Sequence, residues 1–359
     1  MPITKIEIEN LTVFKKMEMN VEAPVNVLIG ENGTGKTHLL KFIYMTFMNL
    51  HSKLYDTIVT PDAIYLDKDA KQDTLAKNFL GLSPSKLIRD KEVDSAVFTI
   101  SYQKDKTITY RLSYDSAWTK VIGKKTYSES RCYNFDESLD EEQENLVFIP
   151  AKDMLTHSKG LPSMKKKYGR FMPFDETSVG IVEKAFHWNL AEAPVFAKGM
   201  LEKLEKIMNG TVIVENEEFF ILRNDGTKIS FHVEAEGIKK IGLIWQLLMN
   251  DNIKEDTILL WDEPEANINP NLIPTLAEII LELGRHGVQV FLATHDFFLP
   301  KYIEVLSEEK DKVAFHALYK TDDDGVQCET DEKFTFLDHN AIIDERINLY
   351  EKEIEKGLS

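Results

Sequence analysis

Hydrophobic and polar positions divide the chain into short apolar runs bounded by turn residues and longer stretches of helical period. Residues 5–9 alternate polar and apolar, as in a half-exposed strand. A second alternating piece runs through Met19 and Val21, so the two predict a hairpin. Val25, Val27, Leu28 and Ile29 form an apolar run that reads as a buried parallel strand. It breaks at Gly30, and Leu39, Leu40, Phe42 and Ile43 then recur at helical spacing. Further buried strands are read at 146–150, 257–263 and 288–294. Three shorter ones are read at 211–214, 219–222 and 228–233, with turn residues such as Asn224, Asp225 and Gly226 between them. Helical stretches fall within 177–206. A more uniformly apolar helix (Ile241, Leu243, Ile244, Leu247, Leu248) opens at 234–237, and another starts near Asn271. Strands alternating with helices in this way indicate an α/β fold.

Between residues 55 and 145 the periodicity weakens, and this stretch reads as an insertion. It holds one clear hairpin, 96–102 with 107–112, and a block of like charge at 136–145 that reads as a solvated loop. At the other end, Ile342, Ile343, Ile347, Leu349 and Ile354 are placed to line a helix in the tail, 325–359.

Composition narrows the field. A chain of 359 residues has room for one large α/β domain with insertions, or for two domains. No apolar run approaches the ~20 residues of a membrane span, and the N-terminal residues lack the apolar core of a signal peptide. Cys132 and Cys328 are the two cysteines, with no CxxC, which fits a reducing cytosol. Net charge is −17, from 43 basic and 60 acidic residues. The average field therefore repels nucleic acid, and any such contact needs a local basic patch. Lys165, Lys166, Lys167 and Arg170 form the one tight basic cluster, either a solvated face or a contact to a phosphate backbone.

The candidate chemistry begins at Gly30. With Gly35, Lys36 and Thr37 it fills G-x-x-x-x-G-K-[ST] between a strand and a helix. Backbone N–H groups of such a loop close around phosphate oxygens, and the helix adds the positive end of its dipole. Lys36 can then reach the β- and γ-phosphates, and the Thr37 hydroxyl can bind Mg²⁺. The apolar strand 257–263 ends in two acids. Asp262 is placed for the Mg²⁺ shell and Glu263 to orient or deprotonate the attacking water. His295, at the end of the next apolar strand, is placed to sense the γ-phosphate. Phe14 or Lys15 is expected against an adenine ring or ribose, with Phe14 as plain core the alternative. Lys152 and Asp153, following the strand at 146–150, are either ligand contacts or a helix cap with a surface ion pair.

Together these motifs resemble the ABC-type ATPases of the SMC, RecF and OLD group. Residues 30–37 match the Walker A loop, 259–263 Walker B with its glutamate, 266–270 the D-loop, and Ala293, Thr294, His295 and Asp296 the histidine switch. The resemblance implies a single ATPase head over 1–359: a mostly parallel sheet, an antiparallel β lobe and an α-helical subdomain. The helical and β lobe, 146–237, would lead to a signature-like helix. It also implies ATP and Mg²⁺ as ligands. Asn32, Gly33, Gly35, Lys36, Thr37 and His38 would hold nucleotide in one copy and Gly237 would approach it from another, in a homodimer or higher oligomer. Two departures stand out. The signature serine-glycine-glycine falls on Ala235, Glu236 and Gly237, and 149–153 takes the place of the glutamine loop without a glutamine. The long coiled coil of the group is absent.

These readings lead to the expectation of a cytoplasmic ATPase that hydrolyses slowly, as a switch, and controls an operon-encoded effector, a nuclease or toxin, in bacterial anti-phage defence. The alternatives are a RecF-like or SMC-like DNA-binding repair ATPase, using the basic cluster, and an ATP-binding scaffold without significant hydrolysis.

Overall fold

The computed structural model describes residues 2–56, 87–90, 93, 95–102, 106–113, 118–122, 125–128, 145–168, 173–322 and 325–358. Most of the expected insertion, the acidic block up to residue 144, and Gly169 and Arg170 of the basic cluster lie outside the described residues.

The N-terminal hairpin forms as expected. β1 (Ile3–Leu11) and β2 (Phe14–Asn20) pair antiparallel, with Ile6 opposite Met19 and Ile8 opposite Met17. β3 (Val25–Gly30) follows, and α1 (Lys36–Asp56) leaves the loop after it. The hairpin read within the insertion is β4 (Ser95–Tyr102) with β5 (Lys106–Ser113), extended by β6 (Trp118–Ile122) and β7 (Lys125–Ser128). β4 pairs with β1, so these strands prolong the main sheet. β8 (Leu146–Ile149) lies at its opposite edge.

Two helices, α2 (Leu161–Tyr168) and α3 (Glu176–Ala185), precede α4 (Lys198–Met208). The helical region read at 177–206 is therefore interrupted. Residues 186–195 run as a loop pinned by amide side chains. Gln246 donates to the Ala185 carbonyl and Asn189, and Asn250 to the Lys184 carbonyl. A separate three-stranded sheet holds β9 (Gly210–Glu215), β10 (Glu218–Arg223) and β11 (Lys228–Ser230). β11 stops at Ser230, short of the expected Val233, because a turn there sends Phe231 into the core.

α5 (Glu236–Met249) leads to β12 (Ile258–Asp262), α6 (Ile273–Arg285), β13 (Gln289–Ala293) and α7 (Phe298–Leu306). β14 (Val313–Thr321) and β15 (Gly325–Asp331) form a hairpin before the last helix, α8 (Ala341–Leu358).

Among the described residues, twelve strands form one sheet in the order β7-β6-β5-β4-β1-β2-β15-β14-β3-β13-β12-β8. The parallel part is the five strands β14-β3-β13-β12-β8, and the antiparallel lobe is the remainder of the same sheet. Apolar residues on both faces explain the unbroken runs. Val27 and Ile29 of β3 enter one core with the helical region, and Leu28 enters the other with α1 and the N-terminal hairpin. Likewise Leu259 and Trp261 face the first core, Ile258 and Leu260 the second. The central strands are thus fixed from both sides, and their C-terminal ends converge on the loop after β3.

Candidate functional site

Two glycines shape the loop after β3. Gly30 has φ +143°, and a Cβ there would lie 2.2 Å from the Leu318 carbonyl oxygen on β14. Gly35 has φ +91°, and its Cβ would lie 2.7 Å from both Phe14 Cζ and Val13 Cγ2. Both positions combine a left-handed backbone with a close neighbour, so a side chain at either would deform the loop. Phe14 is fully buried beneath Gly35. Its ring packs under the loop, as in the plain-core alternative, which leaves Lys15 for the expected contact to an adenine ring or ribose. Lys15, next to it, is exposed, as are Asn32 and Gly33 at the loop's tip.

Lys36 is buried and curls back along the loop, donating to the carbonyls of Gly30 at 2.6 Å and Glu31 at 3.0 Å. Burial brings its pKa down to about 8, opposed by the carboxylates of Asp262, Glu263 and Glu31. The Thr37 hydroxyl donates to both oxygens of Asp262, at 3.1 and 3.0 Å. Burial pushes Asp262 up to about 6 against that hydrogen bond. The pocket therefore buries an ammonium and a carboxylate, each short of solvation. His38, one residue on in α1, is held below the usual histidine range by burial and by the charge of Lys41.

The second acid turns outward. Glu263 lies just past β12 with φ +48°, uncommon for a residue with a side chain. Its backbone is held from two sides: the N–H donates to the Ala293 carbonyl at 2.8 Å, and Lys240 of α5 donates to its carbonyl at 2.8 Å. The carboxylate, more than a third exposed, stands 3.7 Å from His295 Nε2. Burial and the nearby Lys36 charge hold His295 below the ordinary histidine pKa. Thus Lys36, Thr37, Asp262, Glu263 and His295, drawn from three separate segments, meet at one mouth. A hydroxyl beside a carboxylate is a hard-oxygen donor set of the kind Mg²⁺ takes.

Gly237 lies elsewhere. It is buried at the start of α5, where a Cβ would meet the Asn267 carbonyl at 3.0 Å, so the glycine lets the helix pack on the D-loop of its own chain. Ala235 caps that helix without a side-chain hydrogen bond. Glu236 accepts from Lys239 at 2.6 Å. Asp153 caps the turn at Leu155–His157, accepting from the Leu155 and Thr156 N–H groups, and faces Lys239 at 3.8 Å. Asp153 thus matches the cap alternative, while its charge contact is buried instead of lying on the surface. Lys152 is exposed. Lys165 is engaged by Glu176 at 2.6 Å and Glu183 at 2.8 Å.

Family models match end to end over most of the chain: an AAA ATPase domain over residues 1–170, and an AAA domain described as a putative AbiEii toxin of a Type IV TA system over 169–299. Both matched models are AAA domains, and the chain is similar to them over residues 1–299. A solved SMC head bound to the C-winged helix domain of ScpA aligns over 91% of this chain and 97% of its own, at 13% identity and a TM-score of 0.55. An SMC head with an extended coiled coil, bound to the C-terminal domain of ScpA, from Pyrococcus furiosus, aligns over 98% of both chains at 11% identity and 0.54. The DNA replication and repair protein RecF of Bacillus thuringiensis and that of Bacillus cereus are each 38% identical over 70 residues. That span is 20% of this chain and 18% of the RecF chains.

Other side chains that the sequence motifs do not single out also contact the elements of this mouth. Lys240 is one, although two adjacent lysines on an otherwise apolar helix were a visible signal. Lys320 is another: from β14 its Nζ reaches the Asn32 carbonyl at 3.4 Å, a pairing set by sheet order alone. Thr294, already part of the histidine-switch match, donates to Glu265 at 2.6 Å, a pairing across two segments that neither segment announces. Among the described residues no group of three or more His, Cys, Asp or Glu side chains is arranged to hold a metal, and no helix is long and apolar enough to cross a membrane.

Proposed function

We propose that this chain is a cytoplasmic switch ATPase that binds ATP with Mg²⁺, hydrolyses it slowly and, as a homodimer or higher oligomer, controls a separate effector protein in bacterial anti-phage defence. The observation that carries the reading is the meeting of Thr37 with Asp262 beside Lys36, with Glu263 and His295 at the same mouth.

Each side chain has a part in that chemistry. Lys36 would exchange its loop carbonyls for phosphate oxygens, and charge-assisted hydrogen bonds to phosphate are the stronger kind. Thr37 and Asp262 would hold Mg²⁺, which neutralises charge on the phosphates as the terminal group departs. Glu263 would take the proton of the attacking water, and His295 would hold the terminal phosphate. Lys15, Asn32, Gly33, Gly35 and His38 remain proposed nucleotide contacts, and Gly237 a contact to nucleotide bound by a partner copy.

The defence role is supported by the match over 169–299 to a domain described as a putative AbiEii toxin. The effector's docking surface is proposed on the head parts that nucleotide chemistry does not use, the insertion 55–145 and the tail. In α8 Ile342 and Ile343 pack on the core, while Ile347, Leu349 and Ile354 are each at least half exposed. Co-expression with the adjacent gene, followed by size-exclusion chromatography, tests this. Co-elution and an altered ATPase rate are expected; separate elution with and without ATP, and an unmoved rate, would reject the effector.

A second reading, a RecF-like DNA repair ATPase, is favoured by the local identity to RecF. It needs the basic cluster free to meet phosphates. The double ion pair of Lys165 with Glu176 and Glu183 counts against it.

A further inference from the structure

Glu265 lies two residues beyond Glu263, and its surroundings are unlike those of the other acids at the site. Its Oε1 accepts the Thr294 hydroxyl at 2.6 Å. Its Oε2 is sealed from solvent and has no hydrogen-bond partner. Burial raises its pKa, the Thr294 hydrogen bond opposes that rise, and the charges of Asp296 and Lys240 act in opposite senses. With one oxygen engaged and the other closed off, the carboxylate presents no atom to an attacking water. It is therefore not a second general base.

What it does hold is the histidine turn. The Thr294 hydroxyl that donates to Glu265 also accepts the Asp296 N–H at 2.9 Å. Asp296 Oδ1 in turn accepts the Leu299 N–H at 2.9 Å, fastening the turn to α7. His295 is the residue between these two anchors, and it stands against Glu263. A half-satisfied buried carboxylate costs stability, and packing alone gives no reason to keep one.

We propose that Glu265 is a positioning residue: through the Thr294 hydroxyl it fixes the turn that presents His295 to Glu263 and to the terminal phosphate. The role rests on the ATPase reading of the site. A hydroxyl at 294 is what the clamp requires. Thr294→Ser keeps the clamp, Thr294→Val removes the donor, and Glu265→Ala removes the acceptor.

The test compares these three full-length variants and the double variant Glu265→Ala/Thr294→Val, after melting curves confirm folding. ATP affinity should stay within about twofold of wild type, while kcat falls on the order of tenfold to a hundredfold in Thr294→Val and Glu265→Ala. Thr294→Ser should recover most of the loss, and the double variant should be no slower than the worse single one. A second readout does not depend on turnover. In ¹³C-histidine NMR of the nucleotide-free protein, with the His295 signal among nine histidines assigned by His295→Asn, its titration should shift in Thr294→Val and return in Thr294→Ser. An inactive wild type with that NMR pattern intact would overturn the hydrolase reading and leave the clamp standing. Additive losses, no rescue by serine, or an unmoved His295 titration would overturn the clamp. Loss of turnover in Glu265→Ala with full activity in Thr294→Val would make Glu265 the base instead.

Discussion

The nucleotide pocket and the start of α5 are two halves expected to meet across an ABC-type dimer, and they differ in completeness. In the pocket every motif side chain sits beside a chemically suitable neighbour: Lys36 against loop carbonyls, Thr37 against Asp262, His295 against Glu263. At α5 the helix begins on an alanine without a side-chain cap, and the first carboxylate is tied to Lys239 of its own helix. If the proposed dimer forms, ATP binding within one copy and activation by the other should be separable: binding rests on the local motif, whereas the start of α5 carries Ala235 and Glu236 in the places of the signature serine and first glycine.

The largest expected effect falls on the pocket half. Lys36→Ala removes a cation from two phosphates and should weaken fluorescent-ATP binding by a hundredfold or more, on the order of 3 kcal/mol at 1.4 kcal/mol per tenfold. Wild-type affinity would break the site assignment.

Next comes the pH dependence of the pocket, measured without added nucleotide. The carboxyl of Asp262 has a folded-state pKa of about 6, raised from 3.8, so between these values the folded chain holds a proton that the unfolded chain lacks. This group's contribution to stability therefore rises as pH falls from 7 toward 4. Asp262→Asn should raise the nucleotide-free Tm at pH 7 and flatten that slope, while abolishing protection by Mg²⁺-ATP. A lower Tm and an unchanged slope would show that the carboxylate is well solvated.

The smallest effects belong to the α5 half. Ala235→Ser supplies the missing cap, worth about 1 kcal/mol, and should raise Tm by roughly 1 to 3 °C. It should also strengthen ATP-dependent self-association. If association stays weak in Ala235→Ser but rises in Glu236→Gly, the carboxylate is the main block. If neither variant moves it, α5 plays no part in pairing.

The pocket was legible in the sequence because its code is contiguous. Gly30, Gly35, Lys36 and Thr37 sit within eight residues, and each remaining motif follows directly on its own apolar strand. Sheet order was not legible, since it depends on contacts far apart in the chain. Gln289 is an example: its buried side chain bonds the Ile3 backbone, donating to the carbonyl and accepting from the N–H, and donates to the Val21 carbonyl. Nothing in β13 alone foretells that. Phe14 was ambiguous for a similar reason, because an aromatic residue opening a strand reads the same whether it faces a base or a loop. Only the approach of Gly35 decides it. The Glu265–Thr294 pair joins residues 29 apart; Thr294 sits in the histidine-switch match, but nothing in that segment points to Glu265 as its partner.

On the proposed function, this mouth hydrolyses ATP through Glu263. The most direct test is phosphate release by the purified full-length chain with Mg²⁺-ATP, wild type beside Glu263→Gln, with bound nucleotide measured in the same samples. The amide can hold water but cannot accept its proton. The account predicts slow release by wild type, a loss of about a hundredfold or more in Glu263→Gln, and ATP retained by the variant in a dimeric form. Equal release by the two proteins, or no release by wild type at any enzyme concentration, would contradict it.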